Sequence, residues 1–193
     1  MNLAASGISL IGQFAGIETP ITIIQMLWVN IIMDTLGGIA FAGEAPLIYY
    51  MKEKTKRRDE PIINRQMLTH IIISGSYTLA LCTAFLTLDF FKNIYPTEGK
   101  LYTAFYALFI FSGIFNCFLA RCERLNLLSN IGKNKIFVFI MMLISAIQIF
   151  MIYYGEEVFR CVPLSYKELS FVIFLAFTVI PFDIIRRIVY KLK

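Results

Sequence analysis

Residues 28–38 read WVNIIMDTLGG, from Trp28 to Gly38. An asparagine, an aspartate and two glycines interrupt an apolar run that begins near Pro20 and continues to about Gly43. A run of that length is a helix long enough to cross roughly 30 Å of hydrocarbon. At the centre of such a helix a carboxylate costs about 2.5–3.5 kcal/mol on insertion scales. Asn30 and Asp34 are four residues apart, so a helix stacks them on one face. Together they offer three oxygens and an amide N–H2, hard ligands of the kind calcium takes. Gly37 and Gly38 each weaken a helix by about 1 kcal/mol relative to alanine, and they predict unwound backbone beside the carboxylate.

The rest of the chain agrees with a membrane reading. Of its 193 residues 58% are hydrophobic and 16% charged, with a mean hydropathy of +0.70; a soluble domain carries about a quarter charged residues. The expected fold is all-α, a polytopic transmembrane helical bundle of about six segments near 1–17, 20–43, 67–91, 101–120, 136–154 and 169–185. None alternates with period two, which excludes a transmembrane barrel. Cys82, Cys117, Cys122 and Cys161 form no CxxC pair, so neither a disulfide framework nor a zinc site is indicated.

The net charge of +5 is distributed by loop. Fourteen of the 18 Lys and Arg fall in the second-to-third loop (MKEKTKRRDEP, with Arg65), the fourth-to-fifth loop and the tail; Lys92, Lys100, Arg160 and Lys167 lie in the opposite set. The positive-inside rule places the basic set and the C-terminus in the cytoplasm. These residues set topology and touch membrane lipid; nucleic acid is excluded as a partner. The chain opens without a basic n-region or a small-residue cleavage site, so its start is not a signal peptide. It is read as a fragment, or as the tail of something larger.

The stretch QMLWVNIIMDTLGGIAFAGEAP (25–46) resembles the sixth transmembrane helix of P-type calcium ATPases, and Met33 before Asp34 is the pattern of the plasma-membrane type. The resemblance continues in EPIINRQMLTHIIISGSYTLAL (60–81), like the start of the seventh helix, and more faintly in FNCFLAR (115–121), like the end of the eighth. It covers the chain as the second half of helix five through helix ten, and the absence of a long C-terminal regulatory tail fits a bacterial pump. It implies that Asn30 and Asp34 are calcium ligands and that Asn2 falls at an asparagine of helix five. Ala5 and Gly113 stand where the two-calcium branch has glutamates, which implies one calcium per cycle. The resemblance further implies that calcium is the transported substrate, on the family motif alone as against manganese, and that ATP and magnesium serve only the full-length parent.

The sequence contains no DKTGT phosphorylation motif, no GxxxxGK[ST] loop and no counterpart of the family's fourth helix. This polypeptide alone is therefore not expected to hydrolyse ATP. Its partner is the N-terminal part of a pump, which the loop at 52–60 would contact. The alternatives are a stand-alone membrane subunit that regulates a pump, and a small channel using Asp34.

Other polar residues receive structural readings. His70 is read as interfacial packing, Asn116 and Gln148 as interhelical hydrogen bonds, and Asp183 with Arg186 and Arg187 as a local ion pair. Asp89 is placed at the outer interface, and Tyr49, Tyr50, Tyr153 and Tyr154 in an aromatic belt.

Overall fold

A computed structural model describes residues 2–14, 20–44, 65–121 and 131–191. The basic loop at 52–60, Tyr49 and Tyr50 lie outside the described residues. Every regular element among those described is helical: α1 (Asn2–Phe14), α2 (Ile23–Ala42), α3 (Arg65–Thr87), α4 (Asp89–Ile94), α5 (Glu98–Arg121), α6 (Lys135–Tyr154), α7 (Glu156–Phe159), α8 (Tyr166–Phe177) and α9 (Val179–Lys191), with one 3-10 turn at Ile131–Lys133. Five spans are long and apolar enough to cross a membrane: α2, Met67–Thr87 of α3, α5, α6 and the combined Tyr166–Val189. The fold is an all-α polytopic bundle.

Helix α5 is the hub, since every residue from Thr103 to Ile114 is buried. Its apolar residues run all round the helix, the pattern of a helix enclosed on every side. α3, α6, α8 and α9 pack around it. Polar contacts then sort to two ends. At one end Val162 N–H donates to Thr103 Oγ1 at 2.8 Å, the Tyr95 hydroxyl to Glu168 O at 2.9 Å, and Lys100 pairs with Glu168 at 3.0 Å. At the other, Arg121 pairs with Glu44 at 3.2 Å and Arg187 Nη2 donates to Leu119 O at 2.7 Å. Between them the helices run alternately up and down.

Segment boundaries differ from the sequence expectation most in the third and the last segment. The third segment ends at Thr87, where Leu88 is extended (ψ 129°) and α4 starts afresh on Asp89. A carboxylate is stabilised in a first helical turn, so the charge restarts the helix there. The last segment reaches from Tyr166 to Lys191 and breaks at Thr178. Pro181 lacks the N–H that would bond Phe177 O, and the Thr178 hydroxyl donates instead to Leu175 O at 2.6 Å. The early start comes from a capping box: Ser165 accepts from Glu168 N–H while the Glu168 carboxylate accepts from Ser165 N–H.

α1 lies against α3 through a reciprocal pair of glycines. A Cβ on Gly7 would sit 2.9 Å from Leu79 Cδ2, and one on Gly75 would sit 3.0 Å from Leu3 Cδ2. Small residues let helix axes approach closely in lipid, where dispersion contacts replace the hydrophobic drive. Gly75→Val is therefore expected to push α1 away and to cost about 1–3 kcal/mol by overpacking. A lowered unfolding midpoint in detergent, with the α3–α5 contacts intact by cysteine cross-linking, is the result to look for.

Candidate intramembrane cation site

Helix α2 begins at a capping box, where the Thr22 side chain accepts from Gln25 N–H and the Gln25 side chain accepts from Thr22 N–H. It runs as α-helix over Ile23–Trp28, widens into a π-helical turn over Val29–Asp34, and returns to α-helix over Thr35–Ala42. A π-turn bonds i to i+5, so one extra residue is accommodated in the ladder, and such turns recur at functional sites. The irregularity thus lies before the glycines and not at them: Gly37 and Gly38 are α-helical, correcting the expected unwinding. Beyond the helix's own backbone, nothing among the described residues stands within 4 Å of where a Cβ would be at either glycine, so neither is there to let a neighbour pack closely.

The buried stripe of α2 is Gln25, Val29, Met33, Gly37 and Ala40. Asn30, Asp34 and Thr35 take the opposite, exposed side of the bundle. Asn2, on α1, is brought to the same place, and its Nδ2 donates to Asp34 Oδ2 at 3.3 Å. Asn30 does not bond to Asp34 directly. It lines a cavity of about 200 Å³ with Asn2, Ala5, Ser6, Ile21, Met26, Val29 and Phe109. The three residues singled out from the sequence therefore converge from two helices, 32 positions apart for the hydrogen-bonded pair. Ala5 forms part of the cavity wall, while Gly113 is enclosed within α5.

The side chains of Asn2, Asn30 and Asp34 present four oxygens in all. Calcium prefers six to eight, so these residues form an incomplete shell. No group of three or more His, Cys, Asp or Glu that could hold a metal occurs among the described residues. The arrangement can bind a hard cation only with further oxygens from backbone, water or another element.

The remaining polar residues fall in three groups. Asn116 is interhelical, accepting from Ser74 Oγ at 2.7 Å and donating to Thr78 Oγ1 at 3.3 Å, which ties α5 to α3. Asp183 is buried and accepts from Arg186 Nε at 2.6 Å and Arg187 Nε at 2.5 Å, the local pair expected. The pair is also tertiary, because Arg187 reaches Leu119 O on α5 and His70 Nε2 on α3 stands 3.5 Å from Asp183 Oδ1. His70 is accordingly part of a charged node and not mere interfacial packing. Gln148 departs from expectation, since neither its Nε2 nor its Oε1 has a hydrogen-bond partner among the described residues although the residue is 1% exposed. Its neighbours on the buried face of α6 are Ile144, Met151 and Ile152, which offer nothing to bond. An unsatisfied buried amide costs about 1–3 kcal/mol. Gln148→Leu is therefore expected to leave thermal stability unchanged or raise it, and a fall in the unfolding midpoint would show that the amide is satisfied after all.

One cluster had no forecast in the sequence. Glu44, just past α2, takes Arg121 Nη1 at 3.2 Å and Asn134 Nδ2 at 2.8 Å, and Asn134 also donates to Ala40 O at 3.1 Å while capping α6 through Phe137 N–H. Asn134 before an apolar run was a legible N-cap signal; its second role was not.

The profile described as "Cation transporting ATPase, C-terminus" matches residues 18–189. The chain belongs to that family. Among its relatives, "Plasma membrane calcium-transporting ATPase 3" of Homo sapiens is 31% identical over 180 residues, 87% of this chain and 15% of that protein. "Calcium-transporting ATPase 12, plasma membrane-type" of Arabidopsis thaliana is 32% identical over 155 residues, 79% of this chain and 15% of that protein. "Plasma membrane calcium-transporting ATPase 2" of Oreochromis mossambicus is 30% identical over 187 residues, 91% of this chain and 17% of that protein. The chain thus spans roughly a sixth of the length of these cation-transporting ATPases. The match covers all of α2 to α8 and most of α9, so the resemblance first carried by WVNIIMDTLGG extends through the whole hub of the bundle.

Proposed function

We propose that this chain is the part of a P-type calcium pump that carries one side of the intramembrane calcium site, with Asn30, Asp34 and Asn2 as ligands. The observation that carries the reading is the Asn2–Asp34 contact, which joins the two helices at a polar spot on an otherwise apolar surface. Lipid cannot solvate that spot. A hydrated cation, or another element bearing oxygens, can. Calcium as the transported substrate follows from the relatives, which are calcium-transporting ATPases.

In this reading the partner is the remaining part of a pump, which supplies ATP and magnesium chemistry and the missing oxygens. The membrane is the plasma membrane. The end bearing Glu44, Arg121 and the C-terminus faces the cytoplasm, in keeping with the excess of Lys and Arg in the loops on that side. The loop at 52–60 would relay motion from the phosphorylated part.

Trp28 is the single tryptophan and immediately precedes the π-turn, with its ring edge-on to Phe159 at 5.5 Å. It is a built-in reporter. The purified chain in lipid nanodiscs should show a saturable calcium-dependent change in Trp28 emission, in the range of about 10⁻⁴–10⁻³ M for so few ligands. Magnesium, which gives up its water reluctantly, should not reproduce it at equal concentration. A flat calcium titration, with no retention of radioactive calcium, would remove the proposal.

A further inference from the structure

At the end of the bundle away from Glu44 and Arg121, the starts of α2 and α5 and the connection from α6 to α8 enclose a cavity of about 440 Å³. Small-molecule sites occupy roughly 300–1,000 Å³. Contacts that cross all three elements hold its wall. Gln25, 4% exposed, donates from Nε2 to Phe159 O at 2.7 Å and accepts from Thr22 N–H at 2.9 Å. Val162 N–H is held by Thr103 Oγ1, and a Cβ on Gly99 would stand 2.8 Å from Val162 Cγ2, so the connection lies directly on the first turn of α5. The cavity is thus preformed.

Three ionisable side chains line it: Glu98 at the start of α5, Glu156 at the start of α7 and Arg160 just after α7. Although they share one concavity and carry opposite charges, none of the three side chains makes an ion pair or hydrogen bond with a described residue. Lys100, two residues from Glu98, is committed to Glu168 at 3.0 Å. Glu156 and Arg160 have φ of 30° and 48°, the left-handed region that residues with a Cβ avoid. Residues held there cluster at ligand sites.

Opposite charges kept apart across a fixed cavity call for a ligand that carries both signs. An ammonium has three N–H donors for the two carboxylates, and a phosphate matches the planar fork of a guanidinium. Ile23 and Val158, beside Thr22 and Glu156 in the chain, are apolar and largely exposed. We propose that this cavity binds a phosphoethanolamine group, its ammonium on Glu98 and Glu156 and its phosphate on Arg160. The apolar surface beside the cavity favours the headgroup of a phospholipid over a free solute as the source. A choline headgroup has no N–H to donate and is disfavoured. The site uses none of Asn2, Asn30 or Asp34 and needs no calcium.

The test is native mass spectrometry of the full chain in detergent with a calcium chelator, given equal amounts of dioleoyl phosphatidylethanolamine and dioleoyl phosphatidylcholine. The wild type should retain the ethanolamine lipid roughly three- to tenfold more, the size expected of a pair of exposed charge contacts. Glu98→Gln with Glu156→Gln should abolish the preference at an unchanged unfolding midpoint. Arg160→Gln should lower retention of the ethanolamine lipid by a similar factor, and serves if the double variant folds poorly. Equal retention of the two lipids by the wild type would overturn the site, as would a preference that survives in the variants. Displacement of the lipid by millimolar free phosphoethanolamine would support the same contacts and assign them to a soluble ligand, whereas failure to displace it keeps the lipid as occupant. Calcium enters only the Trp28 titration, so this site and the calcium reading fail separately.

Discussion

Asp34→Asn is expected to lower the apparent calcium affinity of the chain on the order of a hundredfold or more. Asp34 bonds to Asn2 beside the cavity that Asn2 and Asn30 line, no other carboxylate among the described residues lines it, and ligand charge count is a principal lever on calcium affinity. The amide keeps the size of the side chain and one oxygen, so Asn2 Nδ2 retains an acceptor and the α1–α2 contact survives. Stability should stay level or rise, because the substitution removes a charge from an apolar stretch. The combination of lost binding with preserved or raised stability separates a ligand from a structural carboxylate. It is read from the Trp28 titration alongside an unfolding curve. A variant that binds calcium as the wild type does would end the assignment of Asp34. One that unfolds earlier would make Asp34 a packing residue.

The second large effect is expected far from the site. Asp183 is 2% exposed and faces Arg186, Arg187 and His70. Asp183→Ala removes the buried carboxylate that accepts from Arg186 and Arg187, taking a close ion-pair contact from Arg187, which is 6% exposed. Breaking a buried pair from one side costs about 3–5 kcal/mol. The lower end, about 3 kcal/mol, applies here because Arg187 keeps its bond to Leu119 O. For a chain of this length that corresponds to a fall of roughly 6–12 °C in the unfolding midpoint. Replacing Arg187 by Leu in the same chain should recover part of the loss, because the buried charge that Asp183 had paired goes with it. A single variant as stable as the wild type would show that the node contributes nothing, and absence of recovery in the double variant would show that the penalty comes from packing.

These two residues also show where sequence reading succeeds and where it stops. Asp183 with Arg186 and Arg187 was legible as a pair because their spacing is a helix repeat, a local property. That His70 and the end of α5 complete the node was not, because His70 lies 113 positions from Asp183 and Leu119 lies 68 from Arg187. The same division holds at the site. Asn30 and Asp34 stand four apart in an apolar run, and the energetic penalty of a carboxylate there singles them out without any fold. Gln148 was misread for the converse reason: an amide in a membrane helix predicts a partner, yet only packing decides what stands opposite it.

The sequence by itself determined the class of this protein, the approximate place of its spans and the residues worth suspecting. Apolar run length, loop charge and intramembrane polarity are all consequences of transfer from water to hydrocarbon, and transfer acts residue by residue. Only the tertiary structure decided that Asn2 meets Asp34, that the helix widens at Val29–Asp34 and not at its glycines, and that Gln25 and Glu44 pin its two ends. Those outcomes depend on which helices pack against which, and a hydrogen bond between distant residues exists only once packing has brought its donor and acceptor within reach.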